Sequence, residues 1–271
     1  MAGARPELST NDIISRLRAL SAEPPGYFNR HSIRIGALDR DIRKVLAVEP
    51  ADGWMLKAML GAYLGDEEQV REAYDNFERL HGARTMVANF ATAFAGVGLF
   101  SEAQRVFRPF IDAKNGELSQ DAHIGVTVGL LTTVADQLEA AKAMGMPVLE
   151  NNALLRSAPS AAKILRSVGI SDEDIGLQFD AVGDVLRAHR RMPEQISVHP
   201  VDIDGVCTMV SIQFHLRHLS PNDAFQMNVE LAEAVDRRNL PVHDSLLVMF
   251  AQNPLELHDS SSPEEIPVGS N

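Results

Sequence analysis

The chain holds one cysteine, Cys207, among its 271 residues. A lone thiol closes no internal disulfide and builds no thiolate metal cage, which points to a reducing compartment, the cytoplasm. No apolar run approaches the roughly 20 residues that span a bilayer, and the most apolar stretch, 245–251, has the length of a strand. No apolar segment follows Arg5 and Pro6, so no secretory leader is expected. Basic residues are scarce: 25 Lys and Arg stand against 37 Asp and Glu, a formal net charge of -12. Such a surface repels a polyanion, which removes nucleic acid as an expected partner. The densest cationic run, Arg187, Arg190 and Arg191, sits where a helix should end and complements its dipole. No glycine-rich turn ends in Lys and a hydroxyl residue, and GVGLF from Gly96 follows a helix rather than a strand. No nucleotide or other cofactor is implied.

What is present is an ordinary globular composition, 45% hydrophobic and 23% charged, sufficient for a buried core. It carries an internal repeat. WMLKAMLGAYLGDEEQVREAYDNF from Trp54 aligns with VANFATAFAGVGLFSEAQRVFRPF from Val87, 33 residues later. Ala58 falls on Ala91, Gly65 on Gly98, Val70 on Ala103, Tyr74 on Phe107 and Phe77 on Phe110. The pattern is that of a helical hairpin. Small residues let two helices approach, glycine turns the chain, and Val70 or Ala103 with aromatics four and seven residues on forms the face that fills the groove.

With Trp54 in an aromatic first-helix position, Ala58, Gly65-Asp66 and Tyr74, and GLFSEAQRVF at 98–107 in the later copy, the chain resembles the tetratricopeptide repeat family. Lys57 and Val87 depart from the family's usual Leu and Trp. The resemblance implies stacked hairpins with a concave surface lined by the first helices, where Lys57, Gly61, Asn89 and Phe94 are candidate contacts for another protein or peptide. Two hairpins leave apolar ends uncovered, so flanking helices are needed. Upstream, a second helix ending at Pro50 is expected, with its first helix near Tyr27 to Ile35. Thr10 is expected to cap a helix bearing Ile13, Ile14, Leu17 and Leu20. Downstream, Ile124, Val128, Leu131, Ala135 and Leu138 keep helical spacing in a degenerate third repeat, and Pro159 is expected to interrupt the next helical stretch.

The periodicity changes after Pro193. Ser171 caps a helix opened by Asp172, Glu173 and Asp174, acids suited to its positive end. Residues 196–203 and 206–216 then alternate as strands about Asp204-Gly205, a two-residue hairpin signal. With Ile203 opposite Val206 the apolar faces fall out of step, which predicts a bulge at His199 or Pro200. A helix opened by Ser220 and Pro221 and a strand at 245–251 complete the set. The expected fold is mainly α with a smaller α+β part. A helical-hairpin region occupies 1–150, an α-β-β-α-β unit with three strands 151–252, and an acidic tail 253–271.

His199, His215, His218 and His243 all fall in the sheet region, where three or four together make a conceivable metal site. Cys207 has no nameable activator and reads as an inert thiol. Two functions are compatible with these features. The first is a noncatalytic, cytoplasmic, protein-binding adaptor, chaperone or regulatory protein using the helical groove. The alternative is a small metal-dependent hydrolase or nuclease at the four histidines. A homodimer through the C-terminal sheet edge is a further expectation.

Overall fold

The computed structural model describes residues 10–20, 26–80, 86–112, 118–146, 152–203 and 206–253. In chain order the helices are α1 (Thr10–Leu20), α2 (Ile33–Val48), α3 (Pro50–Leu64), α4 (Glu67–Arg79), α5 (Val87–Gly96), α6 (Phe100–Phe107), α7 (Leu118–Thr127), α8 (Leu131–Ala143), α9 (Ala153–Ser167) and α10 (Asp172–Ala188). Strands β1 (Gln195–Ile203) and β2 (Cys207–Leu216), helix α11 (Pro221–Arg237) and strand β3 (Leu246–Gln252) complete the chain order. The protein is mainly helical with a small α+β part. No described helix is long and apolar enough to cross a membrane.

One turn recurs. Gly65 and Gly98 have φ of 67° and 74°, the left-handed region that a β-carbon penalises. Each closes a helix with the same six-to-one bond: the Asp66 amide donates to the Gly61 carbonyl and the Leu99 amide to the Phe94 carbonyl, both at 2.9 Å. Ala58, Ala91, Ala103, Phe77 and Phe107 are buried as the pattern requires. Buried Tyr74 meets Phe90 and Phe94 edge-on at 5.4 and 5.5 Å. Trp54 is half-buried, with the Lys57 ammonium 5.7 Å above its ring. Phe110 leaves the pattern: α6 stops at Phe107, Pro109 sets a 3-10 turn, and Phe110 is only partly covered where Phe77 is enclosed.

The same turn appears again at Gly129, Gly145 and Gly169. Gly129 and Gly169 have φ of 88° and 73°, with the Leu130 amide on the Gly125 carbonyl at 2.8 Å and the Ile170 amide on the Leu165 carbonyl at 2.9 Å. So the apolar spacing from Ile124 to Leu138 belongs to two helices, α7 and α8, folded back at Gly129. Pro159 does not interrupt α9. The cost of a helical proline, about 3 kcal/mol, is outweighed by the stripe of Leu155, Ala158, Ala162 and Leu165, all buried.

Upstream the expectations change. No helix occupies residues 26–32; Tyr27 and Phe28 are held instead by main-chain bonds to the Arg190 and Tyr63 carbonyls, both 2.9 Å. Burial pushes the Tyr27 phenol up to about 12, and it donates to the Gly96 carbonyl at 3.4 Å. Ser32 caps a single α2, and Pro50 opens α3 rather than closing a repeat. Thr10 lies within α1 and turns its hydroxyl to Glu49 at 3.4 Å.

Helix α10 holds the hairpins together. Leu99 and Leu130 occupy the N-cap positions of α6 and α8 and offer no side-chain oxygen. Both caps come from α10. Asp180 accepts the Ser101 amide at 3.0 Å, and Asp172 accepts the Thr132 and Thr133 amides at 2.8 and 3.0 Å and the Thr133 hydroxyl at 2.8 Å. Burial raises the Asp180 carboxyl above its ordinary range in spite of that bond. Arg187 donates to the Val97 and Gly98 carbonyls at 2.7 and 3.0 Å at the end of α5. Phe179 of α10 stands between Phe100 and Phe214 at 5.3 and 4.9 Å, and so carries the helical core into the sheet. The expected boundary at residue 150 falls between described segments. On either side of it the buried residues form one continuous cluster from Ile13 to Phe250.

The sheet has the order β1-β2-β3, with β1 antiparallel and β3 parallel to β2. Pairing of β1 with β2 is unbroken from Gln195↔His215 to Ile203↔Cys207, with Val198 opposite Ile212. The predicted bulge is therefore absent. Val206 belongs to the connection, not to β2, so the loop has one more residue than the two-residue hairpin assumed and corrects the register by itself. Asp204 and Gly205, like the tail 254–271, lie outside the described residues.

Candidate functional site

The four groove candidates do not make one surface. Phe94 is 1% exposed and packs on Tyr74, and Gly61 is buried where α3 crosses α4, a β-carbon there lying 3.0 Å from Val70 Cγ2. Both are core residues and cannot meet a ligand. Lys57 and Asn89 are half-buried, and the Asn89 amide lies 3.2 Å from Met55 Sδ.

The four histidines do not converge either. In the register Val210↔Leu246, His243 lies beyond the start of β3, whereas His215 is five residues further along β2, about 16 Å at a strand's rise. His218 occupies the turn after β2 with φ 53°. Among the described residues, no group of three or more His, Cys, Asp or Glu side chains could hold a metal ion.

His199 and His215 are brought together through Ser197, a residue that no sequence motif marks. Ser197 Oγ lies 2.7 Å from His215 Nε2 and 2.8 Å from His199 Nε2, while His215 Nδ1 lies 3.0 Å from the Gln252 carbonyl. A carbonyl only accepts, so Nδ1 carries hydrogen; with a neutral His215 ring, Nε2 accepts from the Ser197 hydroxyl, which accepts from His199. The first contact is that of a nucleophile with its base. The third position, however, is a main-chain carbonyl, and no described carboxylate touches either ring. As a tie it joins all three strands. Ser197→Ala would strand the buried His215 Nε2 and is expected to cost about 1–2 kcal/mol, read by urea denaturation.

The two faces of the sheet differ. Ile196, Val198, Val210, Ile212, Phe214 and Phe250 enter the core, and half-covered Leu246 and Val248 pack against it. The opposite face carries Val201, Ile203, Met209, Leu247 and Met249, none of them within the core cluster. Ile203 and Leu247 are 53% and 43% exposed. Gln195, Ser197, His199, Ser211, Gln213 and His215 share that face, so it bears no Asp, Glu, Lys or Arg, in a chain of net charge -12.

The edges differ as well. On β3, the Asn228 side chain of α11 accepts the Phe250 amide at 2.8 Å and donates to its carbonyl at 3.0 Å, pairing that position as a neighbouring strand would. On β1 a cleft of about 490 Å3 is lined by the consecutive residues Glu194 to His199 and, opposite, by His123 and Thr127 of α7 and the start of α9 from Asn152 to Ser157. Consecutive strand residues alternate between faces, so a cleft touching every strand residue from Gln195 to His199 views the strand along its edge.

No family model, curated protein or solved structure matches the chain.

Proposed function

We propose that this chain is a noncatalytic, cytoplasmic, protein-binding adaptor or regulatory protein whose binding surface lies on the sheet. The observation that carries the reading is the uncharged, partly apolar outer face, with Ile203 and Leu247 open on it and the other face packed on the core. A chain of net charge -12 that keeps one face free of charge has a surface suited to burial against a partner. The stacked hairpins, with their likeness to tetratricopeptide repeats, act in this reading as the rigid support of the sheet. The lone thiol of Cys207 supports the reducing compartment.

The reading is tested by affinity capture from the native cell with the wild-type chain and with Leu247→Asp. Leu247 stands outside the core cluster, so the variant should unfold within about 1 kcal/mol of wild type. It is expected to lose a partner that wild type retains reproducibly. Capture of nothing, or of the same proteins by both chains, would refute the reading.

A further inference from the structure

We propose that the free edge of β1 is a docking site for an extended peptide segment of another protein, which joins the sheet as a fourth strand beside Ile196 and Val198. The inference rests on the protein-binding reading and assigns it a second site.

The direction of the ladder makes the edge available. The Val210 amide donates to the Ser245 carbonyl at 2.9 Å, so Val210 and every second residue of β2 after it point at β3. The alternate residues Met209, Ser211, Gln213 and His215 point at β1, which in the observed register turns the amides and carbonyls of Ile196 and Val198 outward. The clip of Asn228 on Phe250 obeys the same alternation on the far edge. Neither Ile196 nor Val198 has a side-chain or loop partner for these groups among the described residues. Pro200 also faces outward, where its missing amide costs the ladder nothing, and it interrupts the run of donors before Asp202. Before it stand two amide-carbonyl couples two residues apart, about 6.8 Å along the strand. That spacing is complementary to the backbone of another extended chain.

The cleft selects among extended chains. Helices α7 and α9 rise opposite the edge, and His123 Nδ1 lies 3.3 Å from the Asn152 amide nitrogen across their junction. The cleft, about 490 Å3, is bounded by the edge on one side and by α7 and α9 on the other. A second copy pairing through its own β1 would drive its α7 and α9 into this wall, so a separate peptide is favoured over a symmetric dimer. Side-chain selectivity would come from the wall, through His123, Asn152 and Ser157.

The test uses the full chain and a displayed library of random linear peptides. Enriched peptides are synthesised with every second amide N-methylated, in both registers. Methylating the amides that face β1 should weaken binding by roughly tenfold or more, whereas the other register binds as the parent does. On binding, the Ile196 and Val198 amides should change from fast to slow hydrogen exchange, with Ser197 slow throughout. Leu247→Asp, two strands away, should leave the affinity unchanged, so failure of the face and failure of the edge are separable. The proposal is overturned if no peptide is enriched, or if both methylated registers bind alike. It is also overturned if a peptide copying residues 254–271 displaces the selected ones, giving the edge to the chain's own tail. A dimer that the peptides dissociate would give it to a second copy.

Discussion

Asp172→Ala is expected to lower the unfolding free energy by about 2–4 kcal/mol, the larger part of it through loss of order in α8. Asp172 is 2% exposed although it stands in the first turn of α10, where acids are ordinarily solvated. Its carboxylate takes two amides and one hydroxyl from Thr132 and Thr133. Removing it leaves those donors facing a void, and Leu130 cannot replace the cap. Charge adds to the effect, since an anion at this end of α8 also meets the positive end of its dipole. Asp172→Asn keeps one acceptor and should cost about half as much. The neighbouring capping box offers the contrast. Ser171→Ala removes a cap within α10 alone and should cost about 1 kcal/mol. The measurement is urea denaturation followed by far-ultraviolet circular dichroism. Equal losses for Asp172→Ala and Ser171→Ala would mean that α10 does not cap α8 in solution.

Asp172 also shows where the sequence stops being informative. Three acids after Ser171 read as a helix start, and Asp174 does complete a capping box there. Which of the three leaves its own helix is decided by the elements alongside, and no local pattern encodes that. The glycine turns are more legible than an alignment of aromatics makes them. Val97-Gly98-Leu99, Val128-Gly129-Leu130 and Val168-Gly169-Ile170 spell the same turn, and all three adopt it. An alignment anchored on aromatics finds the first hairpins, because Tyr74 and Phe107 fill equivalent grooves. It misses α7/α8, where Leu138 takes the place of the aromatic, and α9/α10, where the buried Phe179 is shifted by one residue relative to its turn and the spacing between turns drifts.

The strands are legible in position and the candidate site is not. A side-chain period of two marks β1 and β2, but their relative register depends on whether Val206 belongs to strand or loop, and a one-residue error moves every cross-strand pair. That error also creates the need for a bulge. Pro200 occupies a regular position because its nitrogen faces the free edge, a fact available only once the ladder's direction is known. Ser197 is hidden for a similar reason. It meets His215 diagonally across two strands, since the residue paired with it is Gln213. The groove candidates fail at the level of helix rotation: Gly61 and Phe94 sit at equivalent points of two hairpins, and at both points the side chain faces inward.

The second large effect is expected at Gly183. A β-carbon there would lie 2.0 Å from the Gly98 carbonyl oxygen and 2.7 Å from both its carbonyl carbon and α-carbon. Every obstructing atom is backbone in a turn whose φ of 74° already restricts it, so no side-chain rotation relieves the contact. Helix α10 would have to withdraw from the α5/α6 turn. Withdrawal would stretch the Arg187 bonds to the Val97 and Gly98 carbonyls, the Asp180 bond to Ser101, and the Phe100–Phe179 contact, all of which span the same junction. Gly183→Ala should therefore cost at least about 3 kcal/mol, beyond the ordinary range for overpacking because several interactions move together. Gly36, within α2, provides the control, since a β-carbon added there meets nothing within 4 Å. Gly36→Ala should stabilise by about 0.5–1 kcal/mol through helix propensity alone. Opposite signs for the same chemical change, read from urea midpoints, would show that close backbone approach and not glycine as such governs Gly183. A Gly183→Ala chain as stable as wild type would mean that α10 does not pack against the α5/α6 turn.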